Sequence, residues 1–235
     1  MRTKKQTEKK RIFNLVIVDE SGSMDVIYRQ TLAGINETLG TIRKMQEMHS
    51  DMEQRVTLLT FDSNRIHFIY DNEPAFKAHD ITANDYNPRS ATPLYDAIGK
   101  GIAHVNACAG PNDNVLVTII TDGEENCSCE YTKQMVDNLI KKLKKQNWTF
   151  AFIGTDDLNV RDMAGDIGIK SHRTFSRDDE GAREMFRDLS DKSIRFYEDV
   201  LQAGCVSEDY DFFAEDNDAE AKKANDKKGN DKEGN

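Results

Sequence analysis

Apolar residues follow two alternating patterns along this chain. Ile12–Val18 and Val115–Thr121 are runs of apolar and β-branched residues with isolated polar positions, and such runs are typical of parallel strands buried on both faces. Between these runs, apolar residues recur at helical spacing, which predicts amphipathic helices. The alternation favours an α/β fold, a three-layer, Rossmann-like, doubly wound sheet that is mostly parallel and has helices on both faces.

One pair of strand patterns is connected differently. Arg55–Phe61 and Arg65–Tyr70 are separated by only three residues, and a link this short permits only an antiparallel hairpin. The sequence therefore predicts one antiparallel edge strand on the otherwise parallel sheet. Residues 71–92 lack sustained periodicity and contain two prolines, which predicts a loop with at most a short helix.

Further elements are predicted on both sides of this loop. Pro93 suits the first turn of a helix that Thr92 would cap, with an apolar face at Ile98, Ile102 and Val105. The other predicted elements are a first helix marked by Leu32, Ile35, Leu39, Ile42 and Met45, a helix marked by Met135, Leu139 and Leu143, a strand at Trp148–Ile153, a loop and helix at Val160–Ile167, a short strand at Arg173–Phe175 and a last helix at Asp179–Gln202.

Length and composition fit one domain flanked by two polar segments. The chain has 235 residues, of which 31% are charged, and this length suits a single α/β domain. Residues 1–10 are predicted to be a basic flexible arm, and residues 11–203 the folded domain. Residues 204–235 are mostly Ala, Asn, Asp and Lys, too polar to offset their ordering entropy, so an acidic and Lys-rich disordered tail is predicted. Within it, residues 209–214 have the aromatic content of a short docking motif.

The charge is unevenly distributed. The net charge of the whole chain is −10; residues 1–11 carry six Lys or Arg and one Glu, and residues 214–235 carry five Lys and seven Asp or Glu, which leaves −13 on residues 12–213. An acidic body argues against nucleic acid as the main ligand. No apolar stretch has the length of a membrane span, and the first residues lack the apolar segment of a secretory signal, so we expect a cytoplasmic protein.

Oxygen-bearing side chains follow the predicted buried strands. The set consists of Asp19, Ser21 and Ser23 after the first strand, Thr92 before a helix, and Asp122 after the second buried strand. Because ligands of open α/β sheets bind at the carboxyl ends of strands, one sheet edge can bring these loops together. Carboxylate and hydroxyl oxygens suit hard divalent cations such as Mg²⁺ and Ca²⁺. The sequence therefore predicts a metal site.

Each of these residues also has a simpler interpretation. An Asp or Ser after a strand often caps the next helix, Thr92 alone fits a helix cap, and Asp122 alone fits an ordinary turn. Their joint occurrence, each on a loop between a strand and a helix, is what favours the metal site. Three further carboxylates lie beside these residues, namely Asp25, Glu124 and Glu125. The alternatives for them are that they tune the metal site, that they hold a second cation, or that they are solvated loop residues.

The order Asp-x-Ser-x-Ser, then Thr, then Asp resembles the metal-ion-dependent adhesion site of the von Willebrand factor A domain family, over about residues 11–203. The resemblance implies that Ser21 and Ser23 bind the cation directly and Thr92 directly or through water. It implies that Asp19 and Asp122 hold bound waters and orient the hydroxyls. The implied cofactor is Mg²⁺, with Mn²⁺ or Ca²⁺ as alternatives. The implied partner is a protein that offers an Asp or Glu to the metal.

The same resemblance favours a binding module over an enzyme, of the small intracellular bacterial type. An alternative within the family is an adaptor subunit of an ATP-driven chaperone, chelatase or stress-resistance complex, with an ATPase as partner. In the family, movement of the last helix can switch affinity, and the sequence leaves open whether this chain switches.

Two enzyme classes and a zinc site are less favoured. Haloacid-dehalogenase-like phosphatases carry a second Asp where this chain has Ser21, which cannot act as a general acid or base at neutral pH without an activating base. The chain lacks the Gly-x-Ser-x-Gly elbow of serine hydrolases, and it lacks the Gly-rich phosphate loop of nucleotide-binding proteins. Cys127 and Cys129 have no second Cys/His pair at metal-ligand spacing, so reduced thiols are expected.

Overall fold

Six strands form one sheet in the order β3-β2-β1-β4-β5-β6, in a computed structural model that describes residues 9–214. The pairs that β1 makes with β2 and β4 are parallel, as are β4–β5 and β5–β6, whereas β2 and β3 form an antiparallel hairpin. This confirms the predicted fold class and the antiparallel edge strand. The strands are β1 (Lys10–Asp19), β2 (Met52–Asp62), β3 (Arg65–Pro74), β4 (Asn114–Thr121), β5 (Trp148–Thr155) and β6 (His172–Phe175).

Helices cover both faces of the sheet. The helices are α1 (Tyr28–Met48), α2 (Leu94–Asn106), α3 (Lys133–Leu143), α4 (Val160–Asp166) and α5 (Asp179–Ala203), with short 3-10 turns at Gly22–Ile27, Ala75–Lys77 and Lys144–Gln146. Side chains alternate along β1, so that Ile12 and Val16 pack with α1 and α5, and Phe13 and Leu15 pack with α2 and α3. Among the described helices, none combines the length and apolar character needed to span a bilayer.

The polar residue inside the first strand has a full set of partners. Asn14 is buried, and its Nδ2 donates to Gln54 Oε1 at 2.8 Å. Tyr197 on α5 donates its hydroxyl to Asn14 Oδ1 at 2.7 Å. These bonds offset the cost of burying the amide and fix α5 against the centre of the sheet.

The prediction that Thr92 caps α2 is wrong. The helix begins at Leu94, Pro93 occupies the cap position, and no side chain accepts a hydrogen bond there. Instead, Thr92 N donates to Asn126 Oδ1 at 2.9 Å, and Asn126 N donates to Thr92 O at 3.2 Å. The Thr92 backbone is thus held by the loop after β4, and its hydroxyl is not used by the helix.

The predicted apolar face of α3 is rotated. The buried apolar residues are Val136, Ile140 and Leu143, whereas Met135 is 45% exposed and Leu139 only partly buried. Met135 and Leu139 instead border a surface groove shared with Ile102 and Asn106 of α2. The helix itself was predicted correctly.

The packed chain continues past residue 203 to Ala214. Phe212 is fully buried and contacts Phe196 on α5, and its backbone N donates to Ser171 Oγ at 3.0 Å. The aromatic segment at residues 209–214 therefore docks on the chain's own last helix. The predictions for residues 1–8 and 215–235 lie outside the described residues.

We expect Gly34→Ala and Gly40→Ala, both within α1, to change stability in opposite directions. A Cβ at Gly34 would lie 2.0 Å from the Phe186 ring of α5, whereas a Cβ at Gly40 would meet only the end of Arg43, at 3.7 Å. Overpacking should lower the free energy of unfolding of Gly34→Ala by about 1–3 kcal/mol. Gly40→Ala should raise it by about 0.5–1 kcal/mol, because Ala favours the helix. Urea denaturation measures both, and equal effects would contradict the close contact of α1 and α5 at Gly34.

Candidate metal site

The candidate site lies where the strand order of the sheet reverses. The chain leaves β1 toward β2 on one side and later adds β4 on the other, so the ends of β1 and β4 are neighbours. Asp19 is the last residue of β1, and Asp122 directly follows β4. Crevices at such switch points are the usual ligand sites of open α/β sheets.

Four of the five predicted site residues are linked by short hydrogen bonds. Ser21 Oγ lies 3.1 Å from Ser23 Oγ, and Ser23 Oγ donates to Asp122 Oδ1 at 2.6 Å. Asp19 accepts from Ser21 N at 2.7 Å and from the Thr121 hydroxyl at 2.6 Å. The loops after β1 and β4 therefore meet through the predicted residues.

Gly123 brings the fifth residue, Thr92, to the same place. A Cβ built on Gly123 would lie 3.0 Å from Thr92 Oγ1 and 3.7 Å from Asp19 Oδ2. The hydroxyl of Thr92 and the carboxylate of Asp19 thus flank one glycine, and a side chain there would fill the space between them. The structure brings together all five predicted residues.

The donors in this cluster fit a hard divalent cation. Two carboxylates and three hydroxyls offer only oxygen atoms, which Mg²⁺ and Ca²⁺ prefer. Across residues 9–214, no group of three or more His, Cys, Asp and Glu side chains is arranged to hold a metal. A cation at this site would therefore depend on the hydroxyls of Ser21, Ser23 and Thr92.

The two carboxylates are buried in a way that disfavours their negative charge. Burial raises the pKa of Asp19 to about 7, opposed by the hydrogen bonds from Thr121 and Ser21. Burial also raises the pKa of Asp122, opposed by the Ser23 hydroxyl and the nearby Arg177 guanidinium. A positive charge between the carboxylates would remove much of this cost.

Arg177 is a site residue that the sequence analysis missed. It lies between β6 and α5, and its Nη2 donates to Asp122 Oδ2 and, at 3.1 Å, to Ser23 O. Its Nη1 donates to Asp157 Oδ2 at 3.2 Å. No sequence motif marks it, because Arg177 and Ser23 are 154 positions apart.

Two fully buried carboxylates position the loop that carries Thr92. Glu20 Oε1 accepts from Asn87 N at 2.5 Å, and Asp62 Oδ2 accepts from Arg89 Nε at 2.8 Å. Both acidic side chains are 0% exposed. These bonds fix the loop against the ends of β1 and β2. Glu20 lies between two motif residues, yet its burial is visible only in the fold.

Glu125, one of the neighbouring carboxylates, organises its own loop. Its Oε1 accepts from the backbone N of Cys127 and Ser128, and its Oε2 accepts from Tyr95 N and Ser128 Oγ. Both oxygens are thus engaged, and the residue is not simply solvated. Cys127 and Cys129 are free and exposed.

No family model and no curated protein matches this sequence. The structure is similar to the SpRpn10 VWA domain (11% identity, TM-score 0.54), covering 77% of this chain and 95% of that one. It is similar to the vWF domain of the type V pili tip protein Mfa5 from Porphyromonas gingivalis (10% identity, TM-score 0.59), covering 80% and 96%.

A third similar structure is the pilus adhesin SpaC from Lactobacillus rhamnosus GG in its open conformation (14% identity, TM-score 0.60). The match covers 81% of this chain but only 30% of SpaC, so this chain corresponds to one part of that longer protein. At these identities the likeness concerns the fold. The chain has a von Willebrand A-like fold.

Proposed function

We propose that this protein binds a protein partner through a divalent cation. The observation that carries the proposal is the convergence of five oxygen-bearing side chains at the switch point of the sheet. These residues would hold Mg²⁺, with Mn²⁺ or Ca²⁺ as alternatives, and they are Asp19, Ser21, Ser23, Thr92 and Asp122. When bound, the cation supplies a positive charge to which an acidic side chain of the partner can bind.

The hydroxyls and the carboxylates of the site have different roles in this binding. Ser21, Ser23 and Thr92 present neutral oxygens, so a cation they hold keeps most of its charge for an external carboxylate. Asp19 and Asp122 balance part of that charge and orient the hydroxyls, as the bond from Ser23 Oγ to Asp122 illustrates. The proposed role is binding, not catalysis.

The charge of the protein supports a metal-dependent partner. Residues 12–213 carry a net charge of −13, so an acidic partner residue meets repulsion unless a cation reverses the local sign. One similar structure is described as a pilus adhesin and another as a pili tip protein, which is in keeping with a surface that binds other proteins. An ATPase is the alternative partner, and a pull-down from cell extract can detect it.

Thr92→Val should weaken divalent-metal binding about tenfold, because it removes one hydroxyl while keeping the shape of the side chain. Thr60→Val is the matched control, since the Thr60 hydroxyl is buried without a hydrogen-bond partner on β2. Isothermal titration with Mg²⁺ and Mn²⁺ measures the dissociation constants. Equal affinities of the two variants would argue against Thr92 as a ligand.

Partner capture should require the metal. In a pull-down from cell extract, we expect a set of proteins that is recovered in Mg²⁺ and lost in EDTA, and lost in Mg²⁺ when Ser21→Ala and Ser23→Ala are combined. Thr60→Val should capture the same set as the unmodified chain. Recovery of the same partners in EDTA would contradict the proposed mechanism, and an ATPase among the metal-dependent partners would identify the adaptor role.

The pKa of Asp19 predicts how pH affects the protein in chelator. Because burial raises this pKa from 3.8 to about 7, the native state holds the proton more tightly than the unfolded state. That stabilising contribution is complete below about pH 4 and is lost as the pH rises through about 7. Asp19→Asn should therefore gain stability relative to the unmodified chain as the pH rises across this window. Urea denaturation at each pH measures the difference, and a constant difference would show that Asp19 is not buried as described.

A further inference from the structure

Arg177 holds together the same two loops that the proposed metal would hold. Its guanidinium bonds the Asp122 carboxylate after β4 and the Ser23 carbonyl after β1. A third contact reaches Asp157, after β5. A single cationic side chain therefore already neutralises part of the negative charge of the carboxylates after β4 and β5, and it also binds a backbone carbonyl of the loop after β1.

The attraction between opposite charges holds the guanidinium of Arg177 in place, although its hydrogen bonds are incomplete. Arg177 Nε is buried and has no hydrogen-bond partner, although the side chain as a whole is 28% exposed. An unpaired buried N–H is costly. One of the Arg177 donors is thus already unpaired. Arg177 can therefore move away from Asp122 without giving up a fully satisfied set of hydrogen bonds.

We infer that Arg177 is an internal competitor of the divalent cation and sets the affinity of the site. Both positive groups need the carboxylate of Asp122, and Asp122 Oδ2 is taken by the guanidinium while Oδ1 accepts from Ser23. Two positive charges beside the same carboxylate repel each other. Metal binding must therefore weaken or displace the Arg177–Asp122 ion pair. The free energy lost with that pair makes the free energy of metal binding less favourable. This inference rests on the metal site proposed above.

A positioning role for Arg177 would have the opposite effect. If the guanidinium served only to orient Asp122 toward the metal, its removal would weaken metal binding. If it competes with the metal, its removal strengthens binding. The sign of the change in metal affinity separates the two roles.

The test compares Arg177→Gln with Arg173→Gln. Arg173 lies on β6 and pairs with Asp188 of α5 at 3.4 Å between Nε and Oδ2, so its replacement removes the same charge from a position outside the five-residue site. Mg²⁺ and Mn²⁺ affinities are measured by isothermal titration at low ionic strength, where a partly exposed ion pair is least screened. We expect Arg177→Gln to bind metal about tenfold more tightly, and Arg173→Gln to stay within about twofold of the unmodified chain.

Arg177→Lys gives a second variant for the case in which Arg177→Gln fails to fold. Lysine keeps the charge but lacks the planar fork that reaches Asp122, Ser23 and Asp157 together, so an intermediate affinity is expected. Circular dichroism verifies the fold of each variant.

The outcomes separate the two proposals. Metal affinity of the folded Arg177 variants that is equal to or weaker than that of Arg173→Gln overturns the competitor role and leaves the metal site standing. Absence of metal binding in the unmodified chain and in every variant overturns the metal site and this inference with it. Binding that is detectable only after Arg177 is replaced supports both.

Discussion

The burial of the Asp19 carboxylate at the end of β1 is the constraint on which the candidate site depends. β1 has a parallel neighbour on each side, so its last residue is enclosed and Asp19 is 0% exposed. A carboxylate in such a place needs donors, and it has a backbone N–H from Ser21 and a hydroxyl from Thr121. These bonds fix the start of one loop to the end of the neighbouring strand. The remaining site residues are placed relative to this pair of strands.

The loops around Asp19 are held to one another by the chain itself. Gly22 N donates to Ser90 O at 3.1 Å, and Thr92 and Asn126 exchange backbone and side-chain hydrogen bonds. The buried carboxylates of Glu20 and Asp62 hold Asn87 and Arg89, just before Ser90. Because these contacts do not involve the hydroxyl of Thr92, that group remains available for a ligand. A site built this way loses little conformational entropy on binding.

The sequence predicted the parts of this structure that depend on local pattern. The strands, the hairpin at residues 62–64 and the convergence of the five candidate residues could be predicted, because each follows from apolar runs or from a position on a loop next to a strand or helix. The cap assigned to Thr92 failed because its backbone is claimed by Asn126, a contact between distant segments. Arg177 and Glu20 escaped prediction for the same reason. An arginine before a helix and a glutamate in a loop are common, and only the packed sheet shows what they touch.

The segment after α5 runs back along that helix. Ala214 O accepts from Lys192 Nζ and Arg195 Nη1, both at 2.8 Å, and these residues lie near the middle of α5. The backbone has therefore turned back along its own last helix, so that Ala214 lies beside the middle of α5. A label attached directly at Ala214 would therefore report on the middle of α5, not on its C-terminal end.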